Sequence, residues 1–329
     1  METVSVPIDV IREMVFAALA AHGASPENAR PVAHALALAE AEGNAVCGLF
    51  YLPHFCAQLA AGKIDGKAVP QVDANGGVVR VDAGTGFAHA AFEAGLPALL
   101  DAVAAQGVAT MSIGNSYSAL ALGHFVRPLA ERGLIAVAMS NAPASVAPPG
   151  ATMRLFGTNP IAWAAPCPDA PPIVVDQSMS AVTKTAVLMR QATGQPLEPG
   201  WAQDADGHPT TDTGAALAGS LLPAGGQKGA NIALLVEVLC VALSGANAST
   251  DASPLGTTDG GPPRLGQFVL ALDPARFAPR FGAALAGLQA GFAAASLRLP
   301  GDGHAPADLA DIPTDLWQTA LDLGRAASG

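Results

Sequence analysis

The chain has 329 residues, half of them apolar and only 13% charged, with a formal net charge of −11. That composition builds a large core with two or three lobes and excludes a disordered chain. The acidic balance and the lack of any Lys/Arg run exclude nucleic acid as a partner, and no run of roughly 18 apolar residues marks a membrane span.

The opening residues show no basic segment followed by an apolar one, so no signal peptide is expected. Val10, Ile11, Met14, Val15, Ala18 and Leu19 recur at helical spacing up to His22-Gly23. Ser25-Pro26-Glu27 opens a second helix, with a capping hydroxyl, a proline at the first helical position and an acid at the positive end. It runs through Ala33–Ala41 and stops near Gly43. Leu52, Phe55, Cys56 and Leu59 share one face of a short helix. Strands are expected at Val78–Asp82, Val108–Ile113, Ile135–Ser140, Ile161–Ala165 and Ile173–Asp176. Between them lie a long helix entering at Ala88 and ending before Gly107, and another over Val126–Arg132.

Asp204–Thr213 reads as a polar turn region. A helix follows the Gly-rich segment Gly225–Gly229, and the apolar run Asn231–Gly245, broken only by Glu237, reads as a buried core helix. Ala246–Pro263 is rich in Gly, Pro, Ser, Thr and Asp and reads as a long surface loop. A strand at Gln267–Leu272, a helix at Ala283–Ala295 and one more beyond Pro300 complete the chain. The alternation implies an α/β protein. Cys47, Cys56, Cys167 and Cys240 are scattered without a CxxC pair, which fits reduced thiols and a cytoplasmic protein.

Few motifs carry chemistry by themselves. Gly225-Gly226-Gln227-Lys228-Gly229 before a helix suits a phosphate, through free backbone N–H groups, the helix dipole and a lysine. A tight turn with a solvated lysine explains the same spacing better, and no Ser or Thr follows the lysine as in a P-loop. Gly84-Thr85-Gly86 lacks the third glycine of a Rossmann fingerprint and reads as an ordinary strand-to-helix turn. His22, His34, His54, His89, His124, His208 and His304 show no metal-ligand spacing, so no metal is expected. Cys47 reads more readily as a small buried side chain than as a nucleophile. Asp176 ends an apolar strand and either faces a site or caps a helix.

Several segments in order give a more specific signal: Gly48-Leu49-Phe50-Tyr51-Leu52-Pro53, Gly107–Gly123, Pro148-Pro149-Gly150 with Phe156-Gly157-Thr158-Asn159-Pro160, Ile173–Ser180 and Leu222–Gly229. Together they resemble the type 2 malate/L-lactate dehydrogenase family. Gly66-Lys67-Ala68-Val69-Pro70 and Val79-Arg80-Val81-Asp82-Ala83 look closest to its branch of Δ1-piperideine-2-carboxylate and Δ1-pyrroline-2-carboxylate reductases. The resemblance implies a homodimer, a helical N-terminal region (1–75) packed with segment 273–329, and a central α/β region (76–272) that binds NADPH or NADH without a Rossmann fold. It implies hydride transfer to a C=N or C=O carbon beside a carboxylate.

Residue by residue, the resemblance exposes departures. The family's proton-donating His falls on Cys47, its carboxylate-binding Arg on Tyr51, a second His on Ser118 and the His of a His-Lys-Gly motif on Gln227. Asp176, Thr158, Asn159 and Lys228 match, with Gly226 and Gly229 beside the last. The implied catalytic set is Cys47, Tyr51, Ser118 and Asp176, and the implied cofactor set is Thr158, Asn159, Gly226, Gln227, Lys228 and Gly229; no 2′-phosphate clamp is assigned, and Lys184 and Arg190 are nearby candidates for one. Two expectations follow. One is a reductase with a re-made substrate pocket, in which Asp176 orients the site and Tyr51 or Cys47 supplies the proton. The other is a non-redox member using Cys47 for addition or cyclisation, or binding alone.

Overall fold

The computed structural model describes residues 2–167, 170–299 and 306–325; His304 lies outside them. The chain starts with strand β1 (Thr3–Pro7) and helices α1 (Ile8–Ala21), α2 (Pro26–Ala41) and α3 (Leu52–Ala60). Ser25 caps α2 as its position implies, its hydroxyl accepting from Asn28 N. The hairpin β2 (Gln71–Asn75) and β3 (Val78–Asp82) leads into α4 (Ala88–Gln106), β4 (Val108–Ser116), α5 (Gly123–Ala130), β5 (Ile135–Ser140), β6 (Ile161–Cys167) and β7 (Ala170–Gln177). Gly107, at φ 78°, ends α4 in the left-handed region that a Cβ disfavours. A smaller lobe follows: α6 (Lys184–Ala192), β8 (Ala202–Gln203), β9 (Pro209–Thr210), α7 (Thr213–Ala218) and β10 (Ser220–Leu221). The last elements are α8 (Gln227–Glu237), β11 (Leu265–Leu272), α9 (Phe281–Ala294), β12 (Leu309–Pro313) and α10 (Thr314–Arg325).

The main sheet has the order β2-β3-β4-β11-β5-β6-β7. Only β3 and β4 are parallel; the remaining neighbours are antiparallel. A doubly wound dinucleotide fold needs parallel strands with helices on both faces, so this sheet is α/β but not Rossmann. Gly84 and Thr85 both have positive φ and form a tight strand-to-helix turn. Helices α4 and α5 cover one face, with Phe92, Leu99, Phe125 and Leu129 against Val81, Met111, Ile113 and Val269.

A second core joins the two ends of the chain. Strand β1 pairs with β12, and Ile11, Leu19, Leu36 and Phe55 share their cluster with Ile312 and Ala320. Helix α9 stands apart from this cluster and touches β6.

One expectation needs correcting. The run Asn231–Gly245 is not a buried helix. It is α8 continued by a π-helical turn at Val238–Ala242, and only one face is inside. Ala233, Val236 and Cys240 are buried, while Leu234, Leu235, Val238 and Leu243 are 41–59% exposed. Apolar content alone does not separate a helix buried all round from one whose second apolar face awaits another surface. No helix among the described residues is long and apolar enough to cross a membrane.

Candidate active site

Strands β4, β5 and β7 finish, and β6 begins, at one end of the sheet. The chain segments leaving those ends meet the turn before α3, the start of α6 and the loop 246–263. They enclose a cavity of about 290 Å³. Cys47 and Tyr51 enter it from the N-terminal region, Ser118 from beyond β4, Thr158 from before β6, Asp176 from β7, and Leu255 with Gly256 from the loop. The four expected catalytic positions therefore share one cavity, although they are far apart in sequence.

Asp176 is the carboxylate of this cavity. The residue is exposed to the cavity's solvent, while the protein packed around the carboxylate pushes its pKa up to about 6. Amide donation from Gly123 (2.9 Å to Oδ2) and Leu122 opposes the rise, and the charge of Glu42 adds to it. Glu42 itself pairs with Arg127.

Cys47 faces the opposite of an activating environment. Burial and the neighbouring Asp176 charge push its thiol up to about 12, against a hydrogen bond from Asn44. A reactive thiolate needs nearby positive charge; here the neighbour is negative. Tyr51 is raised by burial too, and its hydroxyl shares a 2.7 Å hydrogen bond with Thr185 Oγ1. Ser118 Oγ lies 3.4 Å from the amide of Leu120, which donates to it.

His54 lines the same cavity. It lies three residues after Tyr51, hence on the same face of the helical turn, and its Nδ1 is 3.3 Å from Phe50 O. Read as one isolated histidine among seven, it carries no signal; the helical offset from Tyr51 was the available clue. His34, His89 and His124 cluster elsewhere, and burial pushes His89 down to about 4.

The expected cofactor residues divide. Thr158 lines the cavity. Gly225 and Gly226 both have φ of 64° with open space where a Cβ would stand, so backbone N–H groups at the start of α8 are accessible. Lys228 is exposed beside them, and Gln227 Nε2 donates to Asn231 Oδ1 at 2.9 Å. Gly229 packs inward, where a Cβ would lie 2.0 Å from Ala224 O. Backbone bonds Ala224 N→Met179 O and Ala181 N→Leu222 O dock this turn against the segment leaving Asp176. An open glycine turn, a helix start and a lysine fit a dinucleotide phosphate.

Asn159 is placed differently from the expectation. It is fully buried and does not line the cavity. Its Nδ2 donates to Ala233 O and to Glu237 Oε1 at 3.1 and 2.7 Å, and Ser249 bonds the same Glu237 carboxylate. Asn159 thus ties α8 and the long loop to the sheet. Arg190 is held outside the cavity by Pro196 O and Glu198, over the Trp201 ring.

Residues 6–303 match the family model described as malate/L-lactate dehydrogenase. The chain belongs to that family. Among its relatives, a (2R)-3-sulfolactate dehydrogenase (NADP(+)) from Chromohalobacter salexigens is 40% identical over 88% of this chain and 87% of the relative. A Δ1-pyrroline-2-carboxylate/Δ1-piperideine-2-carboxylate reductase from Pseudomonas putida is 40% identical over 83% of this chain and 81% of the relative. The solved Δ1-piperideine-2-carboxylate reductase from Pseudomonas syringae pv. tomato superposes with a TM-score of 0.92 at 35% identity, covering 98% of this chain and all of that one. The family fold is therefore present throughout, and Cys47, Tyr51, Ser118 and Gln227 sit within it.

Proposed function

We propose that the protein is an NAD(P)H-dependent reductase of a cyclic imino acid, with a substrate pocket altered from the family pattern. One observation carries this reading: Asp176 is a carboxylate, largely ionised at neutral pH, in a cavity where Cys47 supplies no imidazole to pair with it. A lone carboxylate favours a cationic reacting centre. A protonated C=N carries that charge, whereas a neutral C=O does not and needs a separate acid.

The turn Gly225–Gly229 and Thr158 would hold the nicotinamide nucleotide, which supplies hydride to the substrate carbon when bound. Asp176 orients the iminium and offsets its charge. Leu255, Phe50 and the Ala119–Ala121 backbone narrow the cavity around it. An imine already protonated in solution needs no donor at position 47. Tyr51 and His54 remain in contact with the cavity for exchange of protons with solvent.

The exposed apolar faces of α8 and α9, with Leu234, Val238, Leu243, Leu288 and Phe292 36–66% exposed, support a homodimer, and the reduced cysteines support a cytoplasmic setting. Titration of the purified protein with NADPH and with NADH, followed by nicotinamide fluorescence, tests the reading. Saturable binding of either is expected and selects the cofactor for a screen of cyclic imines and 2-oxo acids. No binding up to millimolar concentration overturns it.

The environment of Cys47 weighs against a Cys47 nucleophile. We expect Cys47 to resist iodoacetamide at neutral pH and Cys47→Ser to keep kcat/KM well within the ~10²–10⁴-fold loss that removal of a positioned acid or nucleophile brings. Rapid alkylation of Cys47, read by mass spectrometry, would reinstate the non-redox alternative.

A further inference from the structure

A substrate with a carboxylate beside its C=N needs something to hold that carboxylate, and position 51 is a tyrosine. Of the residues lining the cavity, Lys184 is the one Lys or Arg. It opens α6 directly after the capping Thr183, whose hydroxyl accepts from Ala186 N at 3.1 Å. Thr185, next in the chain and buried, turns its hydroxyl to Tyr51 in the same cavity.

The Lys184 side chain has no ion pair or hydrogen bond among the described residues. Its ammonium is held below the usual lysine range, first by burial and then by the charge of Arg154. Arg154 cannot swing away, because its guanidinium donates to the carbonyls of Leu217, Ala218 and Gly219 at 2.6–2.8 Å. Lys184 is exposed to the cavity's solvent with no protein carboxylate on it, and together with the fixed Arg154 it raises the local potential for an oxyanion. The carboxylate of the cavity, Asp176, has its amide partners at Gly123 and Leu122 and leaves Lys184 unpaired.

We propose that Lys184, with the Tyr51–Thr185 hydroxyl pair beside it, binds the substrate carboxylate. This rests on the reductase reading and deepens it. The positive group stands at the start of α6 instead of at position 51, and the tyrosine hydroxyl there becomes a neutral hydrogen-bonding partner. With Asp176 receiving the iminium, the site takes a small zwitterion with a cationic C=N and an adjacent carboxylate. The same lysine chemistry suits a phosphate of the dinucleotide, so the test separates the two oxyanions.

Pyrrole-2-carboxylate is a flat, non-reducible probe for the substrate site, and pyrrole-2-carboxamide is its uncharged counterpart. Calorimetry would measure both, and NADPH and NADH, on the wild type, Lys184→Gln and Lys184→Arg, with thermal melts confirming that each variant folds. We expect the wild type to prefer carboxylate over carboxamide. Lys184→Gln should abolish that preference with an about 10- to 100-fold loss, the size of one charged hydrogen bond. Lys184→Arg should retain most of it, and the nucleotide affinities should not move. Equal carboxylate binding by the wild type and Lys184→Gln overturns the proposal, as does a wild type that binds no pyrrole-2-carboxylate. So does a loss confined to NADPH, which assigns the lysine to the cofactor phosphate. If the wild type binds neither nucleotide but keeps a Lys184-dependent carboxylate site, the reductase reading fails and the anchor stands.

Discussion

Replacing Asp176 with Asn lowers kcat/KM for a cyclic imino acid by about 10²–10⁴-fold and, at neutral pH, raises thermal stability. Both effects have one cause. The folded protein holds the Asp176 pKa at about 6, above the ordinary 3.8. Between those values the folded state binds more protons than the unfolded state, so stability falls as pH rises through that window. Well below pH 3.8, at about pH 3, the carboxyl is largely neutral in both states and Asn brings no gain. Above about pH 6 the wild type carries a charge that burial disfavours, and Asn removes that burden. Melting curves for the two proteins should therefore coincide near pH 3 and separate by pH 7, with the variant higher. The rate should follow the opposite course: with an imine substrate the wild-type kcat/KM climbs as Asp176 ionises through about pH 6. A variant less stable at pH 7 would show that the carboxylate holds the fold. A rate falling through about pH 6 would identify Asp176 as an acid and favour a C=O substrate.

Lys63→Met raises the substrate KM about tenfold or more and leaves nucleotide affinity unchanged. Lys63 is 1% exposed, and its Nζ donates to the carbonyls of Pro254, Thr257 and Asp259 at 2.6, 2.9 and 2.6 Å. Gln58 Nε2 donates to Leu255 O and Thr257 O at 3.3 and 2.8 Å. These bonds fix the part of loop 246–263 that presents Leu255 and Gly256 to the cavity. Charged hydrogen bonds contribute about 1.5–3 kcal/mol each, and methionine supplies none while leaving three carbonyls to find water. A net loss of about 3 kcal/mol corresponds to a Tm drop of roughly 5–10 °C. Steady-state kinetics separate two roles. A lower Tm with unchanged KM would make Lys63 a structural staple only, whereas a raised KM identifies it as a positioning residue for the substrate wall.

The sequence made the architecture legible where local chemistry decides it. The Ser25 cap, the Gly107 stop and the alternating Val79 and Val81 act within a few residues, and each element stands close to its expected place. Strands β1 and β12 escaped notice because each exists only through the other, at opposite ends of the chain. Strand β2 was missed because all five residues are exposed, so no alternation marks it. For the site, the family resemblance brought together Cys47, Tyr51, Ser118, Thr158 and Asp176, all of which line the cavity. It did not anticipate that Asn159 faces inward to Glu237, since a side chain's direction depends on packing from α8. His54 and the loop residues Leu255 and Gly256 belong to the cavity through tertiary contacts that no local pattern records.

Strand β11 lies between β4 and β5 at the middle of the main sheet. Leu265 meets Ser116 across 149 positions of sequence. A ribosome delivers β4 and β5 long before the strand that separates them, so both wait with unpaired edges while the helices above them have already emerged. Such edges template pairing with other chains, and long-range closure is slow. The sheet therefore closes late in synthesis, after residue 272 has left the exit tunnel. Until then the nascent chain has reason to engage a chaperone, and a fragment ending before β11 would aggregate instead of folding as a smaller nucleotide-binding unit.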